Sequence, residues 1–393
     1  MPQDNFTSKL LDMEAFEIMN VSNTQDSIVV TVRMQRRIVS CPRCNTPTDR
    51  VHDYRTQRVK DCPVMGKHFV WLYKKRRYRC VCCGKRFYES NYLLPKGHRI
   101  TNRTAALCLN MLVTKQSRKD ISHSLGVSQS TVQRWLHLKD FSRATKLPNV
   151  LSIDEFRGNT EAGKFQCILT APCKRKIVDI LPTRNSSDLS AYFRACDNRH
   201  DVRYFIMDMN REYLSIAKAF LPNAKIVIDR FHVVRYVTWA LENVRKRVQK
   251  TLLPEQRKYF KRSRKLLLAH MDKLSDNSKA AVELMLTYAR DLREAYLLKE
   301  AFYKFMSAED SGQAKHLLRA FRLHAFAADI PEFKPCFTML KNWEPYILNA
   351  FDCSYSNGFT EGINNSIKVI KRVAYGYRSF KNFRARILTS IAT

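Results

Sequence analysis

Several acids in this chain sit where phosphodiester chemistry would need them. Asn149-Val150-Leu151-Ser152-Ile153-Asp154 is a short apolar run that reaches an acid. Tyr204-Phe205-Ile206-Met207-Asp208 and Ala224-Lys225-Ile226-Val227-Ile228-Asp229 repeat the pattern. A buried strand that ends in Asp puts its carboxylate at the edge of a sheet, where a cation can sit. Carboxylates on neighbouring strands can share divalent ions, and a pair of Mg²⁺ ions about 4 Å apart activates the attacking oxygen and steadies the leaving one. Carboxylate oxygens suit Mg²⁺ better than His or Cys does, and Mn²⁺ can substitute. One Asp at a strand end is more often a turn or cap residue. Three in order are a stronger signal. A fourth acid follows much later, in Ser356-Asn357-Gly358-Phe359-Thr360-Glu361-Gly362-Ile363-Asn364-Asn365. Glu361, Asn365, Lys368 and Arg372 recur at i, i+4, i+7 and i+11, along one helix face. A carboxylate, an amide and cations in a row, with Lys371 beside them, suit metal binding next to a phosphate backbone. The plain alternative is an exposed helix with internal ion pairs, but its Asn and Gly residues are poor helix formers for that purpose.

A second chemistry is signalled by cysteine. Cys41-Pro42-Arg43-Cys44 and Cys80-Val81-Cys82-Cys83-Gly84 are two CxxC knuckles, and two such knuckles complete a tetrahedral, structural zinc site. Cys82 competes with Cys80 as a ligand. Cys80 is favoured because Cys80–Cys83 has the CxxC spacing and Gly84 permits the turn. The gap from Cys44 to Cys80 is longer than in most ribbons. The remaining cysteines are scattered and read as small core residues.

Between these clusters lies Ser117-Arg118-Lys119-Asp120-Ile121-Ser122-His123-Ser124-Leu125-Gly126-Val127-Ser128-Gln129-Ser130-Thr131-Val132-Gln133-Arg134-Trp135-Leu136. Gly126 can end one helix in the left-handed region and Ser128 can cap the next. Val132, Trp135 and Leu136 are expected to bury one face. Gln129, Ser130, Gln133 and Arg134 are then presented outward, as a recognition helix presents side chains to the major groove. A plain αα-hairpin is the competing reading.

The elements that must position these groups follow from periodicity. A strand at 27–33 and another at about 69–79 lead to the zinc knuckles. The middle reads as strands at 165–171 and 176–181 and helices near 187–196 and 211–220, alternating with the acid-tipped runs, hence a mixed sheet flanked by helices. Residues 233–350 are helical in pattern. The expected organisation is a β-rich zinc-ribbon-like module (1–99), a helix-turn-helix (100–146), a first part of a sheet core (147–234), a helical insertion (235–350) and a second part of that core carrying Glu361 (351–393).

Composition fits. The 393 residues carry 69 Lys+Arg against 36 Asp+Glu, a net charge of +33. The excess is densest at 51–100, where 13 basic residues face 3 acidic ones, and a polyanionic partner is expected. With 45% hydrophobic residues, wholesale disorder is excluded. No run is long and apolar enough to span a bilayer, and the N-terminus lacks a signal-peptide pattern. A protein kept in a reducing cytoplasm, without a disulfide framework, is the expectation.

The two knuckles, the helix-turn-helix, Ser152-Ile153-Asp154-Glu155-Phe156, Met207-Asp208-Met209-Asn210, Ile228-Asp229-Arg230-Phe231-His232 and the segment around Glu361 together resemble the ISL-three family of bacterial insertion-sequence transposases. The resemblance runs from about residue 40 to the end. It implies an α/β fold: an RNase H-like mixed-sheet catalytic core interrupted by an all-α insertion and preceded by a zinc-ribbon-like module and a helix-turn-helix. It implies a DDE triad of Asp154, Asp208 and Glu361 holding two Mg²⁺ ions. Asp229 and His232 resemble a Cys/Asp-x-x-His signature and take a supporting role, as does Asn365. Cys41, Cys44, Cys80 and Cys83 would hold Zn²⁺. Double-stranded DNA, as element ends and target, is the implied partner, and pairing two ends calls for a homodimer or larger. Two rival functions stay open: a non-catalytic DNA-binding repressor, and a metal-dependent nuclease without strand transfer.

Overall fold

The computed structural model describes residues 9, 11–138 and 141–391, except the side chains of 259, 261 and 262. The chain folds into two compact units. One is Met1–Phe141 with Ile367–Tyr377 and Lys381–Thr393; the other is Ser142–Ser366 with Arg378–Phe380.

The first unit opens on a five-stranded sheet. β1 (Phe16–Asn23) pairs with β2 (Ser27–Met34), which runs parallel to β6 (Lys67–Arg79); β6 pairs in turn with β5 (Val51–Val64) and with β7 (Arg86–Tyr88). Alternation fixes the buried face: Val30, Val32 and Met34 from β2 meet Val59, Phe69, Trp71 and Tyr73 in one core. β5 and β6 form a long hairpin turned at Met65 and Gly66, both at positive φ, as a two-residue turn matched to strand twist requires. The short ladder β3 (Val39–Ser40) with β4 (Pro47–Thr48) precedes that hairpin. Three helices follow: α1 (Asn102–Val113), α2 (Arg118–Ser124) and α3 (Gln129–Leu136). The guanidinium of Arg103 on α1 pairs with the buried Asp61 carboxylate of β5 and lies over Trp71, which ties helices to sheet. The end of the chain belongs here too. Of residues 351–393, expected to act together, Ile367–Tyr377 and Lys381–Thr393 group with this unit.

The second unit holds another five-stranded sheet, in the order β10-β9-β8-β11-β12. β8 (Val150–Thr160), β9 (Gly163–Ala171) and β10 (Lys176–Leu181) form an antiparallel meander; β11 (Tyr204–Met207) and β12 (Lys225–Ile228) then add parallel to β8. α4 (Ser186–Arg194) and α5 (Arg211–Phe220) connect the strands. From Arg230 to Leu348 the regular structure is helical: α6 (Arg230–Thr251), α7 (Pro254–Arg262), α8 (Arg264–Leu268), α9 (Asp276–Thr287), α10 (Arg290–Met306), α11 (Ser311–Ala328) and α12 (Lys334–Leu348), with single 3₁₀ turns between some of them. α6 starts at Arg230, directly after β12, because Asp229 occupies its N-cap position. α13 (Gly358–Val373) and α14 (Phe380–Ile391) complete the chain. No described helix is long and apolar enough to cross a membrane. The molecule is thus a mixed α/β protein.

Candidate active site and metal centre

β8 has two chemically distinct faces. Leu151 and Ile153 enter the main apolar core, while Val150 packs on the opposite side with Ile206, Val227 and Ala350. Ser152 and Asp154 alternate onto that second side. The N-terminal half of α13 meets the same residues. The Thr360 hydroxyl lies 2.8 Å from that of Thr170 and donates to Ser152 Oγ at 3.2 Å. The Ser152 hydroxyl donates to Asn357 Oδ1. Asn364 Nδ2 donates to Asp154 Oδ2 at 2.7 Å. A polar seam therefore replaces apolar packing where the strand approaches its acid.

Strand register aligns the acids. Ile206 pairs with Ser152 and Met207 with Ile228 in parallel ladders. Carrying that register on, Asp208 stands beside Asp154 on one flank and Asp229 on the other, at a strand spacing of about 4.8 Å. Asp208, Asp229 and His232 each bring a ligand atom within 4.8 Å of the others. His232 Nε2 lies 3.3 Å from Asp208 Oδ2, while Asp208 Oδ1 is buried without a hydrogen-bond partner. Burial, and next the charge of Asp208, raise the Asp154 carboxyl to about 7. Burial, and next the charge of Asp229, raise Asp208 to about 7, with Glu155 and Glu361 adding to it. Asp229 is also raised, chiefly by burial, with His232 opposing. Glu361 itself is exposed on α13. Buried like charges with an orphaned acceptor among them have the chemistry of a hard-cation site.

The positions expected from sequence are not all used as expected. Asn364, which the sequence reading does not single out, bonds Asp154; Asn365, expected in a supporting role, is exposed. Ile363, Ile367 and Ile370 mark the buried side of α13, and Asn364 lies one step from Ile363 and four from Thr360 on that side. That stripe was the available signal. Glu361, Asn365, Lys368 and Arg372 are exposed, as one solvent-facing row predicts, and Lys371 is partly buried.

The zinc knuckles are two copies of one turn. Cys41 N–H donates to Thr46 O and Asn45 N–H to Cys41 O; Cys80 N–H donates to Lys85 O and Gly84 N–H to Cys80 O. Asn45 (φ 57°) and Gly84 (φ 69°) occupy the same left-handed position four residues after the first cysteine. The sulfurs converge: Cys41–Cys83 is 3.6 Å, Cys44–Cys80 3.4 Å and Cys44–Cys83 3.5 Å. Hydrogen bonding to Thr46 pushes the Cys44 thiol down to about 5, the direction a thiolate ligand needs. Cys82 is exposed and outside the cluster, so Cys80 is the fourth member.

In the helix-turn-helix, Ser117 and Ser128 cap α2 and α3 through their hydroxyls. Gly126 has φ +62°, and a Cβ there would lie 2.8 Å from His68 Nδ1. Gln129, Ser130 and Arg134 are exposed. Gln133 differs from expectation. It is half-buried, accepts from Arg118 Nη1, and its amide nitrogen lies 2.8 Å from Asn382 Oδ1 and 2.7 Å from His137 Nε2. Trp135 is also only half-buried.

Comparison with known proteins now decides the family. A family model described as "Transposase" matches residues 151–387, which holds every acid of the site. The chain belongs to the ISL3 transposase family. Two further models agree with this: "zinc-finger of transposase IS204/IS1001/IS1096/IS1165" over 37–83 and "Helix-turn-helix domain of transposase family ISL3" over 91–138. The "Transposase for insertion sequence element IS1001" of Bordetella parapertussis is 25% identical over 376 residues, 92% of this chain and 91% of its own. The "Transposase for insertion sequence element IS1557" of Mycobacterium tuberculosis is 23% identical over 242 residues, 55% of this chain and 54% of its own. An "ATP-dependent protease" of Lactococcus lactis subsp. lactis is 34% identical over 140 residues, covering 35% of this transposase and 40% of that protein. The zinc-finger match and the four converging thiols support a structural zinc ion, and the helix-turn-helix match supports DNA binding. Membership of the family implies an enzyme that cleaves and transfers nucleic acid.

Proposed function

We propose that this transposase binds the terminal inverted repeats of its insertion sequence and carries out Mg²⁺-dependent strand cleavage and strand transfer on DNA in the bacterial cytoplasm. Asp154, Asp208 and Glu361 form the acid triad. The observation that carries this reading is the shared register of Asp154, Asp208 and Asp229 beneath α13, with Asp208 Oδ1 left without a donor. The meander followed by two parallel strands supports reading this sheet as an RNase H-like core, with the helices from α6 to α12 as its all-α insertion.

Asp154, Asp208 and Glu361 are the residues that would hold Mg²⁺, with Asp229 alongside. When bound, Mg²⁺ ions supply activation of the attacking oxygen and neutralise charge on the phosphate. Asn364 fixes one oxygen of Asp154 and the Glu155 N–H the other, while His232 lies against one oxygen of Asp208 and leaves its Oδ1 without a donor. Lys368, Lys371 and Arg372 take the phosphate backbone, and Gln129, Ser130 and Arg134 read the repeat from α3. Gln133, already hydrogen-bonded within the protein, has a positioning part. Water attacks the phosphodiester at the element end and frees a 3′-hydroxyl; that hydroxyl then attacks a target phosphodiester in line, joining to its phosphorus as the target strand's own P–O3′ bond breaks and its O3′ leaves as a 3′-hydroxyl. Two ends must be paired, so a dimer or larger assembles on DNA. The division at about 99, 146, 234 and 350 remains the proposed functional partition.

The test is a purified chain, Mg²⁺ and a duplex ending in the repeat. Nicked and joined products are expected, and Asp154→Ala, Asp208→Ala or Glu361→Ala should lower their yield by at least about a hundredfold. Full activity in any of these variants removes that residue from the triad. Cleavage without joined products would favour a nuclease.

A further inference from the structure

One exposed face of α6 takes no part in the acid site. Its buried side, Val233, Val237, Ala240, Leu241, Val244 and Val248, belongs to the main core. The opposite side presents Phe231, Arg235, Trp239, Lys246 and Lys250, all exposed. Phe231 is 56% exposed and Trp239 is 49% exposed, two rings open on one helix face. The Arg235 guanidinium lies 4.2 Å above the Trp239 ring, which holds the indole in a fixed attitude. Glu242 is the sole carboxylate on this helix; it is buried and bonded to Arg245, so the exposed row carries no negative charge.

The row starts at the acids. Phe231 precedes His232, which lies against Asp208, and the positive charge of Arg235 is felt by the Asp208 carboxyl. From Phe231 to Trp239 is eight residues, about 12 Å along the axis, and the cations continue beyond. Two aromatic faces, an arginine and trailing lysines form a platform with a basic track. That is the surface chemistry of proteins that bind unpaired nucleotides: rings stack on bases, cations follow the phosphates. A double helix hides its base faces and gives exposed rings nothing to stack on.

We propose that this face of α6 is a binding site for single-stranded nucleotides at a DNA end, with Trp239 stacking on an unpaired base, Phe231 a second ring nearer the acids, and Arg235 a positioning residue. The proposal rests on the reading of this site as one that acts at a DNA end. It adds that the end is held frayed, not as closed duplex.

The test is a binding measurement without divalent metal, so it does not depend on whether the triad is assigned correctly. The full chain is titrated against a blunt duplex and against the same duplex with a five-nucleotide single-stranded extension containing 2-aminopurine. The wild type should bind the extended duplex about tenfold more tightly, with 2-aminopurine quenched by stacking. Trp239→Ala should remove preference and quenching, Trp239→Phe should keep most of both, and Arg235→Gln should weaken both partly. Blunt-duplex affinity should stay unchanged in all three, which reports intact folding. A wild type without preference, or a Trp239→Ala protein that retains it, overturns the proposal. So does Trp239→Ala weakening self-association in sedimentation while leaving extension binding unchanged, since the face would then be a contact between copies. Loss of strand cleavage in the acid variants with this preference intact would leave the site standing; an intact triad without the preference would remove it.

Discussion

Asp208 has one oxygen against His232 and the other without a donor, in a setting that lifts its carboxyl to about 7. Such a group carries its charge at the expense of the fold. Its folded-state affinity for protons exceeds its unfolded one, so its favourable contribution is complete below about pH 4 and is lost as pH rises through about 7. Asp208→Asn should therefore melt higher than wild type at pH 8 in magnesium-free buffer, by on the order of 2–4 kcal/mol, and match it near pH 4. Mg²⁺ should raise the melting temperature of the wild type and leave that of the variant unmoved; calorimetry across pH reads both. At Asn364, replacement by Ala should reduce strand cleavage more than tenfold, because its amide holds an oxygen of Asp154, whereas Asn365→Ala, at an exposed position, should cost less. Asp154, Asp208 and Asp229 were legible because each ends an apolar run. The choice between the two asparagines needed the helix phase set by Ile363, Ile367 and Ile370. The capture of Gln133 by Asn382 was not legible, since the partner lies 249 residues away.

At the scale of elements, periodicity located β10 and α5, which begin and end where the residue pattern changes, but gave no sign of β1 or of the polar strand β5. It did not reveal how elements exchange partners, such as β2 running parallel to β6 across the intervening knuckle. The zinc module shows what such a connection costs. A metal on all four thiols joins segments 36 residues apart, at Cys44 and Cys80, and closes the loop that contains most of the long hairpin. Treated as a cross-link, that closure is about 4 kcal/mol. Cys41→Ser or Cys83→Ser should lose one zinc per chain by native mass spectrometry and loosen the hairpin in hydrogen exchange, while Cys82→Ser should keep the metal. The turn of the helix-turn-helix gives a second check. Gly126→Ala meets both a positive φ and the His68 ring, and should destabilise the first unit by about 1–2 kcal/mol, seen as a lower urea midpoint.

Across the whole molecule, the chain begins and ends in the first unit, and the second is inserted within it. α14 supplies Ala385 to the helix-turn-helix core, the Arg386 guanidinium to Gln116 O and the Ser390 hydroxyl to Leu112 O. Nothing in the local sequence of that helix announces its distant partners, because its apolar positions would suit any groove. A chain ended after Tyr377 should keep the acid-bearing sheet yet bind repeat DNA at least tenfold more weakly, with faster amide exchange in α1 to α3 than in the full chain. The order of synthesis gives this arrangement a further meaning. Segments leave the ribosome from the N-terminus and fold as they become complete. Residues 142–366 can settle while the last twenty-odd residues are still unmade, whereas the helix-turn-helix waits for α14. A product interrupted before α14 therefore carries the acid-bearing sheet with the core of its helix-turn-helix still open.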